Sequence, residues 1–130
     1  MRRLGILVAT LLLVACGGDG DEADPAPFCQ RLDRLTENDP FLAFGDSATA
    51  AEIEEGFRAL VARADELVDV APEDARSAAR AFAEGAATMQ DVLDEAGFDP
   101  SALDTRAYRD AQLTYAEASD RLLRYLESEC

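Results

Sequence analysis

An all-α fold is predicted for this chain, a small up-down bundle of three long helices and a short N-terminal one, and three observations predict it. Beyond residue 27 every apolar stretch repeats at helical spacing, and none alternates residue by residue as a half-buried strand does. Gly, Pro and Asp punctuate the pattern at short intervals, so the connections are brief and successive helices run antiparallel. At 130 residues, part of them a leader, the chain has material for one core and not two.

The first helix is expected from about Ala26 to Leu35, with Phe28, Leu32 and Leu35 on one face and Pro25 and Pro27 suiting its entry. Asn38, Asp39, Pro40 and Gly45 then break the helix. Phe41, Leu42 and Phe44 in that loop are too apolar to be left in water, which favours packing against the bundle, with a partner-binding patch as the alternative. In the second helix Thr49 and Glu52 have the spacing of a capping box, followed by the stripe Ile53, Phe57, Leu60, Val61, Ala64, Leu67 and Val68. A corner around Ala71 leads to Pro72, which opens the third helix with Glu73 and Asp74 where the helix dipole favours negative charge. Its inner face reads Ala75, Ala78, Ala79, Phe82, Ala86, Met89, Leu93 and Ala96, and Gly97 is placed to end it. Asp99 and Pro100 begin the last helical region, with Leu103, Tyr108, Ala111, Tyr115, Ala118, Leu122 and Leu126 facing inward.

Gly56 and Gly85 lie at nearly equal distances on either side of the Ala71 corner, each beside an apolar stripe. Glycine inside a helix costs about 1 kcal/mol relative to alanine, so two at one level point to a local cause. A close helix crossing is one reading, chance a second, and a small apolar ligand cavity a third.

Residues 1–15 have the layout of a signal peptide: Arg2 and Arg3, the apolar stretch Leu4 to Val14, then small residues. The stretch falls well short of the roughly 20 apolar residues a membrane-spanning helix needs. Leu13-Val14-Ala15-Cys16 resembles the lipobox of bacterial prolipoproteins, with Leu13 three residues and Ala15 one residue before the cysteine. That resemblance implies cleavage after Ala15 and a diacylglyceryl group on Cys16. It also implies a location on the extracytoplasmic face of the cell membrane, held by lipid. Each buried methylene contributes about 0.8 kcal/mol, so two long chains anchor durably where one does not. Residues 16–27 would then be the lipidated cysteine and a Gly/Asp/Pro-rich tether, averaging ~17–20 Å end to end as a flexible coil, with the bundle domain at 28–130.

Lipidation of Cys16 uses one of three cysteines and leaves Cys29 and Cys130 as the pair for a disulfide in an oxidising compartment. An antiparallel bundle brings the start of the first helix and the end of the last to the same end, where these two can meet.

The net charge is −15, with 27 acidic residues against 12 basic ones, and every basic residue is Arg. This balance opposes nucleic-acid binding and association with anionic lipid surfaces, and it favours basic partners or weakly held divalent cations. The absence of Lys and the abundance of Ala suggest GC-rich coding. As a whole the chain is similar to small lipoproteins of high-GC Gram-positive bacteria, a resemblance that assigns no residue a role.

The sequence offers little chemistry. There is no His and no Lys, and the cysteines are accounted for, so the usual general bases and strongest nucleophiles are missing. No metal site, cofactor or catalytic residue is expected. Carboxylate di-iron bundles require Glu-x-x-His pairs that a chain without His cannot supply. The clusters Glu52, Glu54, Glu55 and Asp91, Asp94, Glu95 read as solvated helix faces, and Tyr108, Tyr115 and Tyr125 as core aromatics rather than haem ligands. The expectation is a lipid-anchored, non-enzymatic binding or interaction module of the cell envelope, presenting an acidic bundle to an unknown envelope protein. The alternative is an extracytoplasmic carrier of a small apolar ligand held between helices. An enzyme would need carboxylates converging in a concave site.

Overall fold

The computed structural model describes residues 24–37 and 47–130. The expectations for Cys16, for most of the tether and for Phe41, Leu42 and Phe44 lie outside the described residues. Within them the chain forms four helices, α1 (Ala26–Glu37), α2 (Ala50–Asp69), α3 (Glu73–Glu95) and α4 (Thr105–Glu129), with a 3-10 turn at Pro100–Ala102 and no strand.

Each helix forms where the local chemistry satisfies its ends. In α1 the Asp24 carboxylate accepts the Ala26 N–H at 3.0 Å, and Phe28, Leu32 and Leu35 turn inward. The helix already includes Ala26 and Pro27, which the sequence reading assigned to the tether. For α2 the capping box is complete: the Glu52 N–H donates to the Thr49 hydroxyl at 3.3 Å, and the Thr49 N–H donates to the Glu52 carboxylate at 2.7 Å. Thr49→Ala should cost about 1 kcal/mol, read as a shift in the denaturation midpoint.

The backbone N–H of Thr49, and next its hydroxyl, hold the Glu52 carboxyl below its ordinary value of 4.5. A carboxyl whose pKa is lower folded than unfolded stabilises fully above the unfolded value and loses that contribution as pH falls through the folded one. Protection of the first-turn amides of α2, taken relative to their intrinsic exchange rate, should therefore fall as pH drops below about 4.5 in the native chain, and fall less in Glu52→Gln.

The corner at Ala71 is tight, with the Ala71 N–H donating to the Val68 carbonyl and Pro72 capping α3 in an extended conformation. At the far end of α3 the Gly97 N–H donates to the Asp94 carbonyl at 2.9 Å and the Phe98 N–H to the Leu93 carbonyl at 2.7 Å, the bond pattern of a Schellman ending. Gly97 takes a φ of +64°, and Phe98 follows at +56° with its side chain buried in the same core as Leu93. Nothing lies within 4 Å of a β-carbon built on Gly97, so the glycine serves backbone conformation alone. Gly97→Ala should lower stability by about 1 kcal/mol, measurable by urea titration.

The last helix starts later than the sequence suggested. Asp99 and Pro100 make only a 3-10 turn, in which Asp99 accepts the N–H and hydroxyl of Ser101, and those bonds keep its carboxyl below the usual range. The first N–H groups of α4 are taken up by Asp104, which accepts from Arg106 at 3.1 Å and Ala107 at 3.0 Å.

The helices pack in a ring, each against the next and α1 against α4, as an up-down bundle does. Contact is heaviest between α3 and α4 and lightest along the short α1, so the body is three long helices with α1 closing part of the fourth side. Phe28, Leu60, Leu67, Met89 and Leu122 are its most deeply buried large side chains, and no polar or charged residue is buried among the described residues. A disulfide joins Cys29 to Cys130, their Cα atoms 5.7 Å apart, and clamps the start of α1 to the end of α4. Beside it the Phe28 and Tyr125 rings meet edge to face at 5.4 Å.

Candidate binding cleft

Where α1 covers the other three helices least completely, a recess of about 280 Å³ remains, partly open to solvent. Leu32 and Leu35 of α1 form one side, Leu60 and Phe82 contribute from α2 and α3, and Tyr115 and Leu122 come from α4. Leu123, 43% exposed, stands at the rim. The Thr36 and Ser119 hydroxyls also line the recess and donate within their own helices, Thr36 to the Asp33 carbonyl at 2.7 Å and Ser119 to the Tyr115 carbonyl at 2.9 Å. Among the described residues the lining holds no charged group, and the Thr36 and Ser119 hydroxyl protons are already committed. Such a surface can hold an apolar group by excluding water.

Small side chains on α3 create the geometry. A β-carbon on Gly85 would lie 2.9 Å from the Tyr115 Cα and 3.0 Å from its N and Cβ, so only glycine permits this approach of α4. One turn earlier, the Phe82 ring lies against the Tyr115 ring, centroids 4.6 Å apart and tilted by 32°. Tyr115 is thereby seated by its backbone on Gly85 and by its ring on Phe82, and both rings face the recess. Gly56, half-buried on α2, was paired with Gly85 in the sequence; the close approach seen at Gly85 is to Tyr115 of α4. Tyr115 could not be chosen as that partner from spacing, because the sequence does not state which helix crosses which at what height. Phe98 was also missed, although an apolar residue directly after a helix-ending glycine is the mark of a Schellman ending.

The charged residues are distributed as solvated faces. Glu54 pairs with Arg58, one turn away, at 2.6 Å, whereas Glu117 with Arg121 and Asp120 with Arg124, at the same spacing, do not close to ion-pair distance. Exposed pairs gain little, so their geometry is weakly enforced. No group of three potential metal ligands converges among the described residues. Tyr108 and Tyr125 have phenols raised above the ordinary tyrosine value by burial, Tyr125 further by the charges of Asp74 and Glu129. No helix among the described residues is long and apolar enough to cross a membrane. No family model matches the chain, and neither a curated protein nor a solved structure does.

Proposed function

We propose that this protein is a lipid-anchored binding module of the cell envelope, attached through Cys16, that displays an acidic helical bundle and performs no reaction. The observation that carries the reading is the disulfide between Cys29 and Cys130. It accounts for two of the three cysteines, leaves Cys16 of the lipobox-like segment for lipid, and is the kind of bond that persists in an oxidising compartment. Intact mass spectrometry of the chain extracted from membranes tests it. The expected species lacks residues 1–15, carries a diacylglyceryl group on Cys16 and contains one disulfide; an unprocessed or unlipidated Cys16 overturns the reading.

A second reading is supported by the apolar recess between the helices. The same module would act as a carrier, holding a small apolar ligand against Phe82 and Tyr115. Mass spectrometry under native conditions distinguishes the two: a carrier retains a small molecule, whereas an interaction module yields a protein adduct on crosslinking in intact cells.

A further inference from the structure

The apolar recess lies between two banks, α1 and α4, and both are acidic. On α1 the exposed Asp33 and Glu37 stand one turn apart, next in the chain to Leu32 and Thr36 of the lining. On α4 the exposed Asp120 follows Ser119 and shares a neighbouring hollow with it and Tyr115, and Glu127, also exposed, comes one turn after Leu123. Arg124 stands between these two in the chain, which leaves that bank net negative. None of the four carboxylates takes part in the Arg31–Glu66, Arg58–Glu54 or Arg76–Glu73 ion pairs. Arg31 and Arg34 belong to the other side of α1: with Leu35, Arg63 and Glu66 they line a separate recess of about 270 Å³ towards α2, where Arg31 is bonded to Glu66 at 3.0 Å.

From this pattern, an apolar recess with the exposed Leu123 at its rim and carboxylates on both banks, we propose that the recess receives the aromatic side chain of a basic segment of another protein, a Phe or Tyr flanked by Arg or Lys. The proposal rests on the interaction-module reading and names the chemistry of the partner. Volume sets the anchor: a cavity of about 150 Å³ holds benzene, so about 280 Å³ has room for one ring with its stem and not for two rings. The ring gains by leaving water and meets Phe82 and Tyr115. Charge selects the flanks. Basic residues on either side of the anchor approach carboxylates on both banks, whereas acidic ones are repelled by them and by a chain of net charge −15. Exposed ion pairs add little affinity, so the anchor supplies the hold and the charges supply orientation and choice of partner.

The test places the full chain, as extracted from membranes, in phosphatidylcholine nanodiscs and titrates it into a fluorescein-labelled peptide, Ala-Arg-Arg-Ala-Phe-Ala-Arg-Arg-Ala, at physiological salt. Anisotropy is read against empty nanodiscs. Binding is expected for this peptide, about ten-fold weaker with Ser in place of its Phe, and absent with Glu in place of its arginines. Asp33→Asn combined with Asp120→Asn should weaken binding about five-fold, the effect of two exposed charge pairs. Ser119→Phe, which fills the recess, should weaken it about ten-fold. Leu123→Ala, a change at an exposed position that spares the core, should weaken it about three-fold and keeps the test decisive if Ser119→Phe does not fold. No binding to the native chain, binding indifferent to the recess changes, or equal binding of the Glu peptide overturns the proposal. So does binding that appears only after Phe41→Ser with Phe44→Ser, which makes residues 38–46 the occupant. Failure here, with protein adducts on crosslinking in intact cells mapped to another face, removes this partner and leaves the interaction reading standing.

Discussion

Replacing Cys29 and Cys130 together by Ser should lower the stability of the bundle by about 4 to 5 kcal/mol and its Tm by on the order of 20 °C. The bond spans a sequence separation of 101, so its loss returns to the unfolded chain nearly all the freedom that a closed loop of that length denies it. The folded side of the balance points the same way. Helix α1 has only 12 residues, too few to be stable alone, and it packs on α2 and α4 far more sparsely than α3 and α4 pack on each other. Its attachment depends on Phe28, Leu32 and Leu35 and on the covalent clamp at its first turn. Hydrogen exchange on the double variant should therefore show loss of protection first over residues 28–35, with α3 and α4 protected until global unfolding. Because Leu32 and Leu35 also wall the apolar recess, the same variant should lose that recess before it loses its core. A double variant that melts within a few degrees of the native chain would show that α1 is held by packing alone.

Gly85→Leu should destabilise the protein by about 3 kcal/mol, the second largest effect expected of a local change. Two contributions oppose each other at this position. Removing a mid-helix glycine gains about 1 kcal/mol of helix propensity. Against that, the first added carbon meets the Tyr115 backbone at 2.9 Å, and backbone cannot rotate away as a side chain tip can. The helices must separate, which also pulls the Tyr115 ring from Phe82 and changes the recess both rings line. The smaller Gly85→Ala should fall between, destabilising by about 1 kcal/mol because the overpacking and propensity effects partly cancel. Denaturant titration of both variants checks the order. An alanine variant more stable than the native chain would mean that α3 and α4 can part at no cost.

Most of the bundle was legible in one dimension because helical periodicity and helix ends are local properties. The stripe from Ile53 to Val68, the Thr49 and Glu52 cap, the Ala71 corner and the Gly97 ending each depend on residues a few positions apart, and each is present. The late start of α4 shows the limit of that reasoning. Asp99 and Asp104 both have the chemistry of a cap, and which of them opens the long helix depends on where the chain must turn to lay Tyr108 and Ala111 on the core.

The candidate site was much less legible, since every feature of it joins residues distant in sequence. Gly85 was singled out for its cost in a helix, but its partner Tyr115 emerged only once α4 was laid across α3. Arg31, Arg34 and Arg63 look unremarkable along the chain, and they gather only because α1 and α2 lie side by side.

Local sequence was therefore sufficient to specify the helices, most of their ends and the pairing of Cys29 with Cys130. The recesses on either side of Leu35 arise from interaxial distances and helix lengths, with α1 too short to cover the three helices beneath it. Periodicity tells a helix which face to bury; the size of the neighbouring side chains, here a glycine against a tyrosine backbone, decides how near the next helix comes and what space is left between them.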